Sequence, residues 1–173
     1  IYDEHGTGQY QSEASYNTEV AAAQGLVLLD THLITIPGIQ RSGFEPCDLL
    51  DIEGKRFIHV KKSSRRSTVL SHFFKQASNS AQQFSRFPAA WDQLINLVTQ
   101  IGGQQAAEHL RAAIEDDARA WKVELIIADA PRATGEFNIP FFSKISLRDE
   151  VISLHAMNYR VGLRFIGLEP DDF

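Results

Sequence analysis

The stretch Glu45-Pro46-Cys47-Asp48-Leu49-Leu50-Asp51-Ile52-Glu53-Gly54-Lys55-Arg56-Phe57-Ile58-His59-Val60-Lys61-Lys62 decides the fold. Two apolar-rich runs, from Phe44 to Ile52 and from Arg56 to Lys62, flank Glu53-Gly54-Lys55, which is turn material, and together they predict a β-hairpin. The hairpin puts Asp48 and Lys61 on adjacent strands. Because side chains alternate with period 2 along a strand, Ile58 and Val60 point one way and Phe57, His59 and Lys61 the other. The first face is expected to be core and the second a working surface.

Upstream, residues 1–12 are polar and read as an arm. Tyr16, Val20, Ala21 and Ala23 predict an amphipathic helix from Glu13 to Gln24, with Ser12 as N-cap and Gly25 as stop. Glu13 and Asn17 share one face of it at i, i+4, whereas Glu19 lies elsewhere. Leu26 to Leu29 and Leu33 to Ile36, around Asp30-Thr31-His32, predict a second hairpin or one bent strand. Downstream, Val69, Leu70, Phe73, Phe74, Ala77 and Ala81 recur at helical spacing after Ser67 and Thr68. Phe87 to Ile101 and Ala106 to Trp121 predict two more helices broken at Gly102-Gly103, a helical insertion at about 84–121. Val123 to Ala128 reads as a buried strand and Pro140-Phe141-Phe142-Ser143-Lys144 as a loop anchored by its aromatics. Ser146 with Asp149 three residues on resembles a capping box for a helix through Val151 and Leu154. Tyr159, Val161, Leu163 and Phe165 alternate in a last strand. The order of elements predicts an α/β fold, a mixed central sheet flanked by helices.

The 173 residues, 43% of them hydrophobic, suit a single domain over 13–173. The chain starts at Ile1 and its one methionine is Met157, so a segment of a longer chain is expected, with other domains, subunits or further copies as partners. No run approaches the roughly 18 apolar residues of a membrane span. Cys47 alone forms no internal disulfide, which excludes a cysteine-rich zinc module and points to a reducing, cytoplasmic setting. A net charge of −5, spread evenly, would disfavour nucleic acid. It is not spread evenly: Lys55, Arg56, Lys61, Lys62, Arg65, Arg66 and Lys75 place seven of the 17 cationic residues in one acid-free stretch. Such a local field attracts polyanions. Lys62, Arg65, Arg66 and Lys75, with the hydroxyls of Ser67 and Thr68 at the helix start and His72 and Gln76 one turn apart, are the expected nucleic-acid contacts.

The acid-bearing strand, the strand carrying His59-Val60-Lys61 and the helix after it resemble the PD-(D/E)XK, or restriction-endonuclease-like, nuclease superfamily over roughly Glu13 to Ala128. Glu45-Pro46-Cys47-Asp48 is similar to the first element of that pattern and His59-Val60-Lys61 to the second. The chain also resembles a sporadically distributed bacterial family through Glu45-Pro46-Cys47-Asp48-Leu49-Leu50, His59-Val60-Lys61, Leu70-Ser71-His72-Phe73-Phe74 and Pro140-Phe141-Phe142-Ser143-Lys144. The resemblance implies metal-dependent hydrolysis of phosphodiester bonds in nucleic acid, with DNA favoured, in defence against foreign DNA. Asp48 would hold Mg²⁺ or Mn²⁺, joined by a second carboxylate from the first helix, Glu13 in preference to Glu19, and by the Val60 carbonyl, while Lys61 orients water or stabilises the charged transition state. His59 stands where that family carries an acid. Imidazole suits Mn²⁺ and other transition metals better than Mg²⁺, which leaves open a different metal, an acid-base role for His59, or a domain that binds nucleic acid without cutting it.

Other signals point elsewhere. Ser71-His72 is no nucleophile and base pair, since adjacent helical residues diverge by about 100°. Cys47 reads as a small buried residue. Trp91, Trp121 and the middle helices offer a contact surface if the domain serves protein interaction instead. His5, His32, His109 and His155 share no ligand spacing.

Overall fold

A computed structural model describes residues 12–39, 42–63, 67–117, 121–129 and 137–167. The expected arm over 1–12 falls, apart from Ser12, outside the described residues, as do Arg65, Arg66 and His5. The first helix, α1 (Glu13–Gln24), begins where the sequence indicates. Ser12 and Ser15 cap each other's backbone N–H at 3.1 Å, and Gly25 closes the helix in the left-handed region at φ 66°. Its buried residues Tyr16, Val20 and Ala21 lie against Leu49, Ile58, Val60, Ile126, Ala128 and Ile166.

The sheet runs in the order β1 (Val27–Leu28), β2 (Leu49–Asp51), β3 (Arg56–Lys62), β4 (Lys122–Asp129) and β5 (Arg160–Gly167). The first two pairings are antiparallel and the last two parallel, so the sheet is mixed. The turn between β2 and β3 is held by Asp51, whose carboxylate accepts from the Gly54 N–H at 2.8 Å and from Arg56 Nε at 2.7 Å. A Cβ at Gly54 would collide with that carboxylate. On the face opposite α1 lie α2 (Ser67–Arg86), α3 (Pro88–Asp117, bent at Gly103 with φ 82°) and α4 (Phe141–Ala156). No described helix is long and apolar enough to cross a membrane.

Phe57 anchors the larger core. Its ring stacks on Phe84 and on Trp121, each at 4.9 Å between centroids, and Trp91 closes the cluster against both Phe84 and Trp121. Ala90, Leu94, Val98 and Leu110 of α3 belong to the same core as Leu70 and Phe74 of α2, so the helices expected as an insertion are packed into the centre.

Several expectations are corrected. The segments 26–29 and 33–36 do not pair with each other: Thr31 takes a left-handed φ of 65° and turns the chain, β1 pairs with β2, and Ile34 bridges to Phe44. The Phe57-His59-Lys61 face of β3 is not a continuous working surface, because Phe57 and His59 are buried beneath the helices and only the Lys61 end opens. Pro140 to Lys144 is no aromatic-anchored loop. Pro140 caps α4, Phe141 and Phe142 are 70% and 68% exposed, and buried Ser143 makes the anchor by donating to the Ser67 carbonyl at 3.2 Å. Ser146 therefore lies inside α4, where its hydroxyl bonds Ser71, and does not cap it. Trp121 lies beyond α3 and is fully buried, which removes it from any contact surface.

Truncating the centre of the aromatic cluster should be costly. Phe57→Ala is expected to lower unfolding stability by about 4 kcal/mol, read as a urea midpoint shift at unchanged m-value with the fluorescence of Trp91 and Trp121 as the probe. A loss below about 1 kcal/mol would show that this packing contributes little.

Candidate metal and phosphate site

The site begins with a backbone problem at the end of the hairpin. Leu49 of β2 pairs with Ile58, and the Asp48 N–H also donates to the Ile58 carbonyl at 3.0 Å. Two successive residues thus oppose one, the arrangement of a β-bulge, which re-aims a side chain and ends regular pairing. Beyond it the N–H groups of Val60 and Lys62 point toward where β2 would have continued. Two carboxylates take them instead. Asp48 Oδ2 accepts from Val60 N at 2.7 Å and Glu13 Oε1 from Lys62 N at 2.8 Å. Because the N–H and C=O of a strand residue lie on the same edge, the Val60 carbonyl also faces this side.

Around that edge is a cleft of about 260 Å³, bordered by Glu13, Asp30, Glu45, Asp48, His59 and Lys61. Asp30, Glu45 and Asp48 each bring a carboxylate oxygen within 4.8 Å of the other two. Asp30 follows β1 and is steadied by Asn17 of α1, whose amide donates to it at 3.1 Å. Glu45 is held at both oxygens, by the Thr31 N–H at 2.6 Å and by Gln76 of α2 at 2.9 Å. The left-handed Thr31, an unfavourable conformation for a β-branched residue, aims that N–H at Glu45. Lys61 forms its ion pair with Glu13, at 3.0 Å. Among the described residues no cation pairs with Asp30, Glu45 or Asp48.

The electrostatics follow. Burial, opposed by the Val60 N–H and reinforced by Glu45, Asp30 and Glu13, pushes the Asp48 carboxyl from its ordinary 3.8 up to about 7. His59 forms part of the wall; burial pulls it from 6.5 down to about 4, so it is a neutral imidazole at neutral pH. Its Nε2 has no hydrogen-bond partner among the described residues. Burial likewise raises the Cys47 thiol, consistent with a small inert core residue.

The sequence-predicted residues divide. Asp48, Lys61, Glu13, His59 and Val60 converge. Glu13, expected beside Asp48 on the metal, lies outside the three-carboxylate group because Lys61 and the Lys62 N–H engage it. Gln76 reaches the site through Glu45, and Thr68 and His72 line a neighbouring cavity. Ser67 serves α4 through its carbonyl, and Lys75 turns away to pair with Glu150 at 3.3 Å. The Lys62 side chain is exposed. The cationic stretch is therefore less free than its sequence suggests: Lys55 pairs with Asp116, and Arg56 with Asp51 and Glu124. Burial opposes ionisation of Glu124, yet the Arg56 hydrogen bond and the charges of Lys122 and Arg164 hold its pKa below the usual range.

Asp30, Glu45 and Thr31 gave no sign in the sequence that they belong to the site. Asp30 reads as a turn residue, and only its convergence with Asp48 distinguishes it. Glu45 is the nearest to a missed signal, since it stands three residues before Asp48 in the phrase that carries the nuclease resemblance.

The chain belongs to the family described as DUF6119, a family of unknown function, whose model matches residues 2–167. No curated protein and no solved structure matches it.

The two shifted groups give opposite pH slopes. A carboxyl raised from 3.8 to about 7 costs folded-state stability as pH climbs through that window, with the full cost present above it. An imidazole lowered from 6.5 to about 4 contributes stability that is intact above 6.5 and lost as pH falls toward 4. Asp48→Asn removes the first effect alone. In EDTA it should stabilise the protein at pH 8 by on the order of 3 kcal/mol, and much less at pH 5. Thermal melts at the two pH values check this; a gain independent of pH would count against the assignment.

Proposed function

We propose that this DUF6119 domain hydrolyses phosphodiester bonds of nucleic acid with the help of a divalent cation, on a restriction-endonuclease-like core. The observation that carries the reading is the meeting of Asp48, Asp30, Glu45 and Lys61 at the open end of the β2–β3 hairpin. Phosphodiester cleavage needs concentrated carboxylates to hold a hard cation and an ammonium near the transferred charge. This cleft supplies both.

The donor set fits a cation. Three partly buried carboxylates without a cationic partner among the described residues form a negative site that oxygen-preferring Mg²⁺ or Mn²⁺ would neutralise, and the Val60 carbonyl lies on the same edge. A cation bound there supplies charge neutralisation and an acidified water. The chain's own residues do the rest. Asp30 and Glu45 are oriented by Asn17, Thr31 and Gln76, so the carboxylates are pre-positioned. Lys61, steered by Glu13, presents its ammonium to a substrate phosphate. His59 does not replace the acid that the resembling nucleases carry at its position. Glu45 and Asp30 make up that charge from the opposite side of the cleft, while neutral His59 walls the site.

The buried, neutral His59 favours one other reading, a nucleic-acid-binding module of the same fold that does not cut. That module would bind in a salt-dependent manner and be indifferent to chelators.

Purified protein incubated with single- and double-stranded DNA is expected to cleave in Mg²⁺ or Mn²⁺ and to stop in EDTA. Asp48→Ala and Lys61→Ala should each reduce the rate by about 100-fold or more. A folded domain that cuts nothing with either metal, or whose cleavage ignores both substitutions, would sink the proposal.

A further inference from the structure

A second cavity, of about 300 Å³, adjoins the carboxylate cleft along the first half of α2. Lys61, Phe73 and Gln76 line both spaces, so they are contiguous. Val69 and Phe73 give the second one an apolar floor. Thr68, His72 and Gln76, spaced by four along α2 and therefore on one helical face, give it a polar rim.

We infer that this cavity receives one unpaired nucleobase of a single-stranded nucleic acid whose adjoining phosphate lies at Lys61. The inference rests on the phosphodiester reading of the neighbouring cleft. Size is the first argument: the volume stands at roughly the lower bound of small-ligand sites, about 300 Å³, enough for one flat heterocycle. The lining is the second. An apolar floor suits a base face, and His72 is an exposed aromatic ring on which a base can stack. The amide nitrogen of Gln76 is taken by Glu45 at 2.9 Å, which leaves its carbonyl oxygen as an acceptor for an exocyclic amine. The same hydrogen bond ties the base cavity to the carboxylate cluster.

Charge is the third argument. A duplex is gripped largely through phosphates by free cations, and among the described residues Lys55, Arg56 and Lys75 are committed to carboxylates. With those three engaged, stacking of a single base carries a larger share of affinity. A base inside a duplex cannot enter such a cavity unless it is flipped out of the stack. The geometry therefore points to single strands, frayed ends or unpaired loops as substrates.

The test compares a short single-stranded oligonucleotide with an abasic strand of the same length, run as DNA and as RNA. Binding is followed by fluorescence anisotropy in Ca²⁺. The phosphates are the same in both strands, so the difference reports the base alone. The wild-type protein should bind the intact strand about ten-fold more tightly than the abasic one, the scale of one stacked base. His72→Ala and the cavity-filling Thr68→Trp, both at exposed positions, should abolish that difference. Equal binding of the two strands by the wild type, or a difference that survives both substitutions, overturns the base cavity. Cleavage in Mn²⁺ separates the two proposals. Base discrimination without cleavage leaves the cavity standing and removes the hydrolase. Cleavage of duplex as fast as single strand, with no base discrimination, does the reverse, and no binding of any strand removes both.

Discussion

A strand that outruns its partner leaves backbone donors that must be satisfied, and the site grows from that requirement. β3 extends past the end of β2, and the N–H groups of Val60 and Lys62 would otherwise lack acceptors. A buried donor without a partner costs on the order of 1–3 kcal/mol, so something must take its place. Carboxylates do, one from the bulged residue Asp48 and one from the first residue of α1. Each is bound to backbone through one oxygen. Asp30 and Glu45 then crowd in from the β1 side, fixed by an amide from α1, an amide from α2 and the strained Thr31 backbone. Asp48, Asp30 and Glu45 are thus held by neutral donors, which order them without cancelling their charge.

Charge behaves differently at the two ends of β3. At the turn end, Arg56, Glu124, Arg164, Lys122 and Asp51 form a network of ion pairs on the part of the α1-side sheet face that α1 leaves uncovered. At the opposite end, negative charge accumulates in a cleft that Lys61 also lines. The same strand therefore carries a stabilising ion network at Arg56 and an electrostatically frustrated cleft at Lys61, roughly 17 Å apart along the extended chain. Frustration of that kind disfavours the charged form in the absence of a counter-ion, and it is the usual mark of a site built for a ligand.

Much of the fold was legible from local pattern. Ser12, Gly25 and the apolar spacing between them mark α1; Glu53-Gly54-Lys55 marks the hairpin turn; Leu70, Phe73, Phe74, Ala77 and Ala81 mark the buried face of α2. The misreadings share a cause. Phe141 and Phe142 look like anchors because large aromatics usually bury, yet the buried residue of that segment is the small Ser143. Within the acid-free run, Lys55, Arg56 and Lys75 look free because one-dimensional spacing cannot reveal Asp116, Glu124 and Glu150, which arrive from far along the chain to pair with them. At the site, Asp48, Lys61 and Glu13 were recognisable because their positions on a hairpin and a capped helix constrain where they point. Asp30 sits in an irregular turn, and no periodicity tells where a turn will aim its side chain.

The origin of the site residues along the chain divides the labour of the molecule. Every carboxylate of the cleft comes from α1, the segment after β1 or the approach to β2, all within the first 48 residues. The parallel half, β4 and β5 with α3 and α4, contributes core and no cleft carboxylate. A few changes within the first 48 residues can therefore erase the carboxylate cluster while the parallel scaffold folds as before. Under the proposed reading, copies changed at positions 13, 30, 45 and 48 would keep the scaffold and lose the cleft's negative charge.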